Sequence, residues 1–343
     1  MLINSAVFSR ALEINVYDFV PGEVRIHSFS KNGCGIIRRT AVHGCKDTMR
    51  IVLAKNDADI LARFHDDLTL NKTGETIHCS SGSSRCSMQN ITDQLLPKLK
   101  MANLIPVGIT LEEFKKAADM AKKEGVQLSQ NGCATSNSSH SYVYRLFRDL
   151  GSIRPINAPV DALKLLNSDD HYLIYANDTF ITFQSQTEIV YSNLYTKLVS
   201  NLDDFNPPAE GWIKIKDPEG FVNHMKYAAA FSDLVRLTVN GDMLALATDV
   251  VAQNPRKYSA EIRIESNLSK YCKAVDIENM LKCLGAIYPG RQDSIEIGVT
   301  NKMLKMENDN ELAAVAIVKM LEDEEFELKT DGGAEDDRTD RTE

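Results

Sequence analysis

Three stretches of this chain carry one pattern, and that pattern leaves few folds open. Met49–Ile91, Ile153–Leu198 and Cys272–Leu321 each begin with a short alternating apolar run: MRIVLA, IRPINAP, CKAVDI. Each continues into a helix-period stretch: NDADILARF, VDALKLLN, IENMLKCLG. A polar turn and two or three further alternating runs follow. Alternation with period two reads as strand, and apolar residues three or four apart read as helix. The copies lie much farther apart than solenoid units, so they mark repeated domains.

Ahead of each copy lies a second segment of similar plan. In the middle of the chain it is ITLEEFKKAADMAKKEGVQLSQNGCATSN, with a helix expected over Leu111–Glu124. Near the end it is IKIKDPEGFVNHMKYAAAFSDLVRLTVNGDMLALAT, with a helix expected over Pro218–Phe231. Asp217 before Pro218 reads as an N-cap followed by proline at the first helical position. Asn240-Gly241 between LVRLTV and DMLALA is a hairpin signal. Residues 4–47 supply strand patterns (ALEINVYDFV, EVRIHSF, GIIRRTAV) without a helix pattern, so the first domain is expected to lack its first helix. The reading is an α+β chain of three tandem domains, each built of two β-α-β-β-β halves: 1–98, 99–208 and 209–322. The linkers fall at Gln89–Asn103 and Asp203–Gly211, the second holding Asn206-Pro207-Pro208.

The length of 343 residues suits two or three domains. Apolar content of 43% is enough for a core in each, and one Trp makes those cores aliphatic. The net charge of -9 is unevenly placed: residues 322–343 hold 11 acids and 3 bases, which leaves the body at -1. A near-neutral body can still present a basic face. The tail, 323–343 in the domain division, has few apolar residues and reads as disordered. No run of 18 apolar residues suggests a membrane span. No basic stretch followed by an apolar core suggests a secretory signal. Seven cysteines without CxxC spacing read as reduced thiols in a cytoplasmic protein.

Three such doublets in tandem resemble the bacterial sliding clamp, the beta subunit of DNA polymerase III. Thr76–Gln89 (TIHCSSGSSRCSMQ) is similar to the family's "SGRSRF" strand, which closes its first domain. Ile189–Phe205 (IVYSNLYTKLVSNLDDF) is similar to the "SRLIDGRFPDY" strand and linker, and Ala313–Leu321 (AAVAIVKML) to the terminal strand. The three segments occur in order, and the resemblance spans about residues 8–321. Divergence from the family pattern suits a viral or plasmid origin. The resemblance implies a ring of six domains made head-to-tail from two chains. Helices would line a hole holding duplex DNA, with sheets outside. It also implies non-enzymatic tethering of a DNA polymerase and clamp loader through short peptide motifs.

A sliding ring must hold phosphates without reading bases, which calls for Lys and Arg on the lining helices. In the middle helix Phe114, Ala117, Ala118 and Ala121 form a buried stripe, with Lys115, Lys116, Lys122 and Lys123 on the flank and far side. Glu112 and Asp119 sit among them. Lys55, Arg63, Lys164, Lys226 and Lys282 occupy the other repeated helices. Taken singly, each is an ordinary solvated helix residue. By the family pattern, the loop Gln127–Asn131 lies near the rim of the hole, which brings in Gln127. The family's peptide groove carries over by position to Phe147, Leu150, Val315, Ile317, Val318 and Met320, all of which core packing also explains. Ring closure would use the edges of Thr73–Met88 and Ser259–Ser266, since unpaired edges invite pairing between chains.

No catalytic constellation stands out. Cys34, His43, Cys45 and the His78-Cys79 pair lack zinc-site spacing, so neither metal nor cofactor is expected. SSGSSR and KNGCG are not phosphate-binding glycine motifs. Two other readings stay open: a clamp-like regulator, and a β-rich structural or assembly protein that does not encircle DNA.

Overall fold

The computed structural model describes residues 1–43, 45, 47–64, 67–91, 103–121, 124–137, 141–195, 202, 205–248, 256–319 and 327–328. Six β-helix-β-β-β halves follow one another. The first is β1 (Leu2–Ile3), a 3-10 turn (Ser5–Phe8), β2 (Ile14–Val20), β3 (Glu23–Phe29) and β4 (Cys34–Ala41). The second is β5 (Met49–Ala54), α1 (Lys55–Ala62), β6 (Leu68–Thr73), β7 (Thr76–Ser81) and β8 (Ser84–Gln89). The third is β9 (Ile105–Pro106), α2 (Leu111–Ala121), β10 (Val126–Ser129), β11 (Gly132–Ser136) and β12 (Tyr142–Phe147). The fourth is β13 (Ile156–Ala158), a 3-10 turn (Asp161–Leu165), β14 (Leu173–Ala176), β15 (Phe180–Gln184) and β16 (Glu188–Asn193). The fifth is β17 (Gly211–Ile215), α3 (Pro218–Ala229), β18 (Leu234–Asn240), β19 (Met243–Ala247) and β20 (Ser259–Ser266). The sixth is β21 (Leu268–Asp276), α4 (Ile277–Ile287), β22 (Ile295–Val299), β23 (Met303–Glu307) and β24 (Glu311–Val318), followed by a short β25 (Glu327–Leu328).

Local chemistry sets the helix starts. Asp217 accepts from the Gly220 amide at 2.9 Å with Pro218 next to it, as the sequence leads one to expect. Thr110 and Glu113 form a reciprocal capping box: the Glu113 amide donates to Thr110 Oγ1 at 3.2 Å, and the Thr110 amide to Glu113 Oε2 at 2.8 Å. The expected stripe Phe114, Ala117, Ala118, Ala121 is buried on α2, with Met120 beside it. Gly241 takes φ +65 in the Asn240-Gly241 hairpin.

Two helix expectations need correction. The first half does carry a helical element, reduced to one 3-10 turn capped by Asn4. Four residues hold too little periodicity to be seen in sequence. The fourth half holds a five-residue 3-10 turn in place of a longer helix. Pro159 precedes it, Leu166 leaves it in extended conformation, and Arg10 takes its last carbonyl, that of Leu165.

The chain divides into two compact bodies, Met1–Cys133 with Arg148–Ser200, and Ala134–Phe147 with Asn201–Glu343. These bodies cut across the three-domain division. In the first, an eight-stranded antiparallel sheet runs β5-β2-β3-β4-β16-β15-β14-β9, beside a four-stranded sheet β1-β6-β7-β8. In the second, strands run β12-β24-β23-β22-β17-β20-β19-β18-β21-β25. Halves are interlocked: β5 joins β2–β4 while β1 joins β6–β8, and likewise β21 joins β18–β20 while β17 joins β22–β24. Each half therefore completes its neighbour's sheet.

A seam rule recurs. The fourth strand of one pair's first half pairs antiparallel with the fourth strand of the next pair's second half. In the first body β4 meets β16, with Ser192 opposite Cys34 and Glu188 opposite Arg38. In the second, β12 meets β24, with Tyr142 opposite Val315 and Leu146 opposite Glu311. The first seam is pinned by a buried Glu188 that accepts from Arg10 and from the Tyr172 hydroxyl. By the same rule β8 and β20 are left over. β8 ends its sheet, and Ser259–Arg263 of β20 pair with β19 on one side only among the described residues. No described helix is long and apolar enough to cross a membrane.

Candidate nucleic-acid interface and self-assembly edges

In the first body the cations on the helical elements are mostly exposed. Lys55 opens α1 and Arg63 caps its end; both face solvent. On α2, Lys115 is exposed and Lys116 half-buried, with Glu112 and Asp119 exposed among them. Glu113 is held by Arg148, and its hydrogen bonds with Thr110 keep its carboxyl below the usual range against the opposing effect of burial. Lys164 is exposed and bonded to Asp161 at 2.9 Å, a contact that holds its ammonium above the ordinary value. Lys122 and Lys123 lie outside the described residues.

Gln127 must be corrected. It is inside strand β10 and 3% exposed, so it does not meet solvent at a rim. All four residues of β10 are buried, Gln127 among them, and the turn shrinks to Gln130–Asn131, which are exposed.

In the second body Lys226 is exposed on α3. Lys282 on α4 is half-buried: its ammonium donates to the Tyr142 hydroxyl at 3.2 Å and sits 5.0 Å from that ring's centre. It is a packing cation, held over an aromatic face. Between α3 and α4 lies a cleft of about 730 Å³ whose charges are mixed, Lys216, Lys226 and Arg291 against Asp217, Glu219 and Asp293.

The groove residues separate into two groups. Leu150 and Val315 are fully buried, each in its own body, and serve as core there. Val315 stands between Tyr142 and Leu304 in the sheet and is 0% exposed, so no surface of it is left for a ligand. Phe147, Ile317 and Val318 are half-buried. The Arg145 guanidinium covers the Phe147 ring at 4.6 Å, and Ile317 and Val318 lie opposite Val275 and Ala274. Met320 lies outside the described residues.

Sequence reasoning missed an aromatic cluster beside the leading end of β20. Tyr227 is 61% exposed and Phe231 37% exposed at the end of α3. Both pack on Tyr258, at 6.5 and 5.7 Å between ring centres. Tyr258 bonds His224 Nδ1 at 2.6 Å, and partial burial raises its phenol. The signal was available: Phe221, Met225 and Ala228 form the buried stripe of α3, and Tyr227 lies off it. Large apolar groups off the core stripe point to a partner. Ile60 on α1 of the first body is 46% exposed.

No protein-family model matches the sequence, and no curated protein matches it. Solved structures do. The DNA polymerase III subunit beta from Pseudomonas aeruginosa superimposes with a TM-score of 0.77 at 12% identity, covering 93% of this chain and 99% of that one. The beta chain from Streptococcus pneumoniae gives 0.75 at 14% identity, covering 93% and 100%. A Helicobacter pylori beta clamp bound to a DNA ligase peptide gives 0.73 at 10% identity, covering 91% and 93%. The six interlocked halves, their seams and these superpositions agree on one architecture: the chain has the fold of a DNA polymerase sliding clamp.

Proposed function

We propose that this protein is a DNA polymerase processivity factor, a non-enzymatic ring of two chains that encircles duplex DNA. The observation that carries the proposal is the seam rule. Two of its ladders are made within the chain, and the two edges it leaves over, β8 and β20, would pair with each other between two copies. Arg85 on β8 and Glu261 on β20 are both exposed and opposite in charge. In this reading Tyr227 and Phe231 of one chain cover Ile60 of the next, and their exposed apolar surface leaves water on closure. A head-to-tail contact of this kind closes into a ring when its rotation allows.

The DNA would meet Lys55, Arg63, Lys115, Lys116, Lys122, Lys123, Lys164 and Lys226 through phosphates, without sequence preference. Partner polymerases and a loader would dock extended peptides near Phe147, Ile317, Val318 and Met320, as a ligase peptide docks on the Helicobacter clamp. Tethering then raises the local polymerase concentration without new enzyme–DNA contacts. The replication role places the protein in the cytoplasm with the nucleoid. The test is topological. Loaded protein should stay on closed circular DNA and leave when the circle is linearised; equal loss from both forms would refute encirclement.

The acids among the cations, Asp57 and Asp59 on α1 and Glu112 and Asp119 on α2, favour a second reading as a clamp-like regulator or assembly protein that does not enclose DNA. Light scattering separates the two, since the ring requires two chains per particle.

A further inference from the structure

Cys79 and Cys86 stand directly opposite each other in the β7–β8 ladder, two pairs from the Gly82-Ser83 turn. Both side chains lie on the core-facing side of that hairpin with Ile77 and Met88. Opposed residues of an antiparallel pair have Cα atoms roughly 4.5–5.5 Å apart. That spacing falls inside the range a disulfide can bridge. The other described cysteines have no such partner across a ladder. Cys34 is bonded to Ser192 and Cys272 to Thr238.

We propose that Cys79 and Cys86 form a reversible cross-strand disulfide, making the β7–β8 hairpin an oxidation site. The two thiols have different access. Cys86 is half-buried and reachable, whereas Cys79 is 2% exposed. With a small-molecule disulfide such as oxidised glutathione, the Cys86 thiolate attacks one sulfur and releases the first glutathione thiolate. The Cys79 sulfur then attacks Cys86 Sγ and expels the second. The two cysteine protons end on the two glutathione thiols, the protein loses two hydrogens, and glutathione disulfide is reduced. Burial pushes the Cys79 thiol up to about 12, so the first attack falls to Cys86, and the direct opposition of the two residues supplies the proximity for the second. Cys86 is half-buried, so a reductant reaches the link from the same side as the oxidant. The site lies on the hairpin whose outer strand is the assembly edge in the reading above, but its chemistry does not depend on that reading.

The test treats the full-length folded chain with oxidised glutathione and maps thiols by peptide mass. The expected product is a Cys79–Cys86 link with the thiol titre reduced by two from seven, restored by dithiothreitol. Cys79→Ser should leave glutathione trapped on Cys86, and Cys86→Ala should leave Cys79 unreacted. Wild-type protein that keeps glutathione on Cys86, or that forms the link only after denaturation, overturns the proposal. The wild-type arm stands by itself if a variant fails to fold.

Discussion

At the scale of single residues, close approach and burial make the sharpest predictions. Gly35 on β4 faces Tyr191 on β16, and a Cβ there would lie 2.3 Å from the Tyr191 hydroxyl. That hydroxyl also bonds His27 Nε2 at 2.9 Å, so it has little room to yield. Gly35→Ala should cost about 1–3 kcal/mol through overpacking, read from urea unfolding. His27 itself is depressed to about 4 by burial. The folded state therefore keeps it neutral while the unfolded chain takes up a proton below about 6.5. Its contribution to stability is complete above that value and is lost as pH falls toward 4. Partial exposure screens the effect to about 1–3 kcal/mol. Unfolding free energy measured at pH 7 and pH 5 should differ, and His27→Gln should flatten the difference. These close contacts were not legible in sequence. Gly35 read as one more glycine in KNGCG, because its neighbour is more than a hundred residues away.

Among the elements, caps and stripes were the most legible features, since both depend on residues within a turn or two. Asp217-Pro218 starts α3 where expected, and the stripe on α2 is buried as spaced. Thr110→Ala removes the Thr half of the capping box and should cost about 1 kcal/mol, read as a lower thermal midpoint. The helices of the first and fourth halves were misjudged for a related reason. One-turn 3-10 elements carry no period to detect, and VDALKLLN has the right apolar spacing for a helix that its boundaries cut short. Helix ends are decided by what satisfies the last carbonyls. For Leu165 that is Arg10, just after the 3-10 turn of the first half.

For the whole molecule, the prediction concerns the leftover edges. Tyr227→Asp should abolish dimer formation in sedimentation while leaving the unfolding midpoint of the monomer nearly unchanged, because that side chain is 61% exposed. Unchanged dimer would place self-association elsewhere. Lys115→Ala should weaken duplex binding equally across sequences and reduce the salt slope by about one unit, the mark of one phosphate contact. An unaltered slope would remove α2 from the DNA face.

The sequence by itself determined the repeat, the alternation of strands and helices, and the faces those elements bury, because each follows from residues close along the chain. Its candidate sites were legible only as positive charges and apolar residues in repeated places. Lys115 and Lys226 are exposed, but the same reasoning chose Gln127 and Val315, which are buried. Tertiary structure alone decided which strands from distant halves share a ladder, which edges stay unpaired among the described residues, and that Cys79 faces Cys86. The physical reason is that a strand's pattern specifies which side faces the core but not which edge supplies its hydrogen bonds. That choice is made by the packing of the assembled sheets.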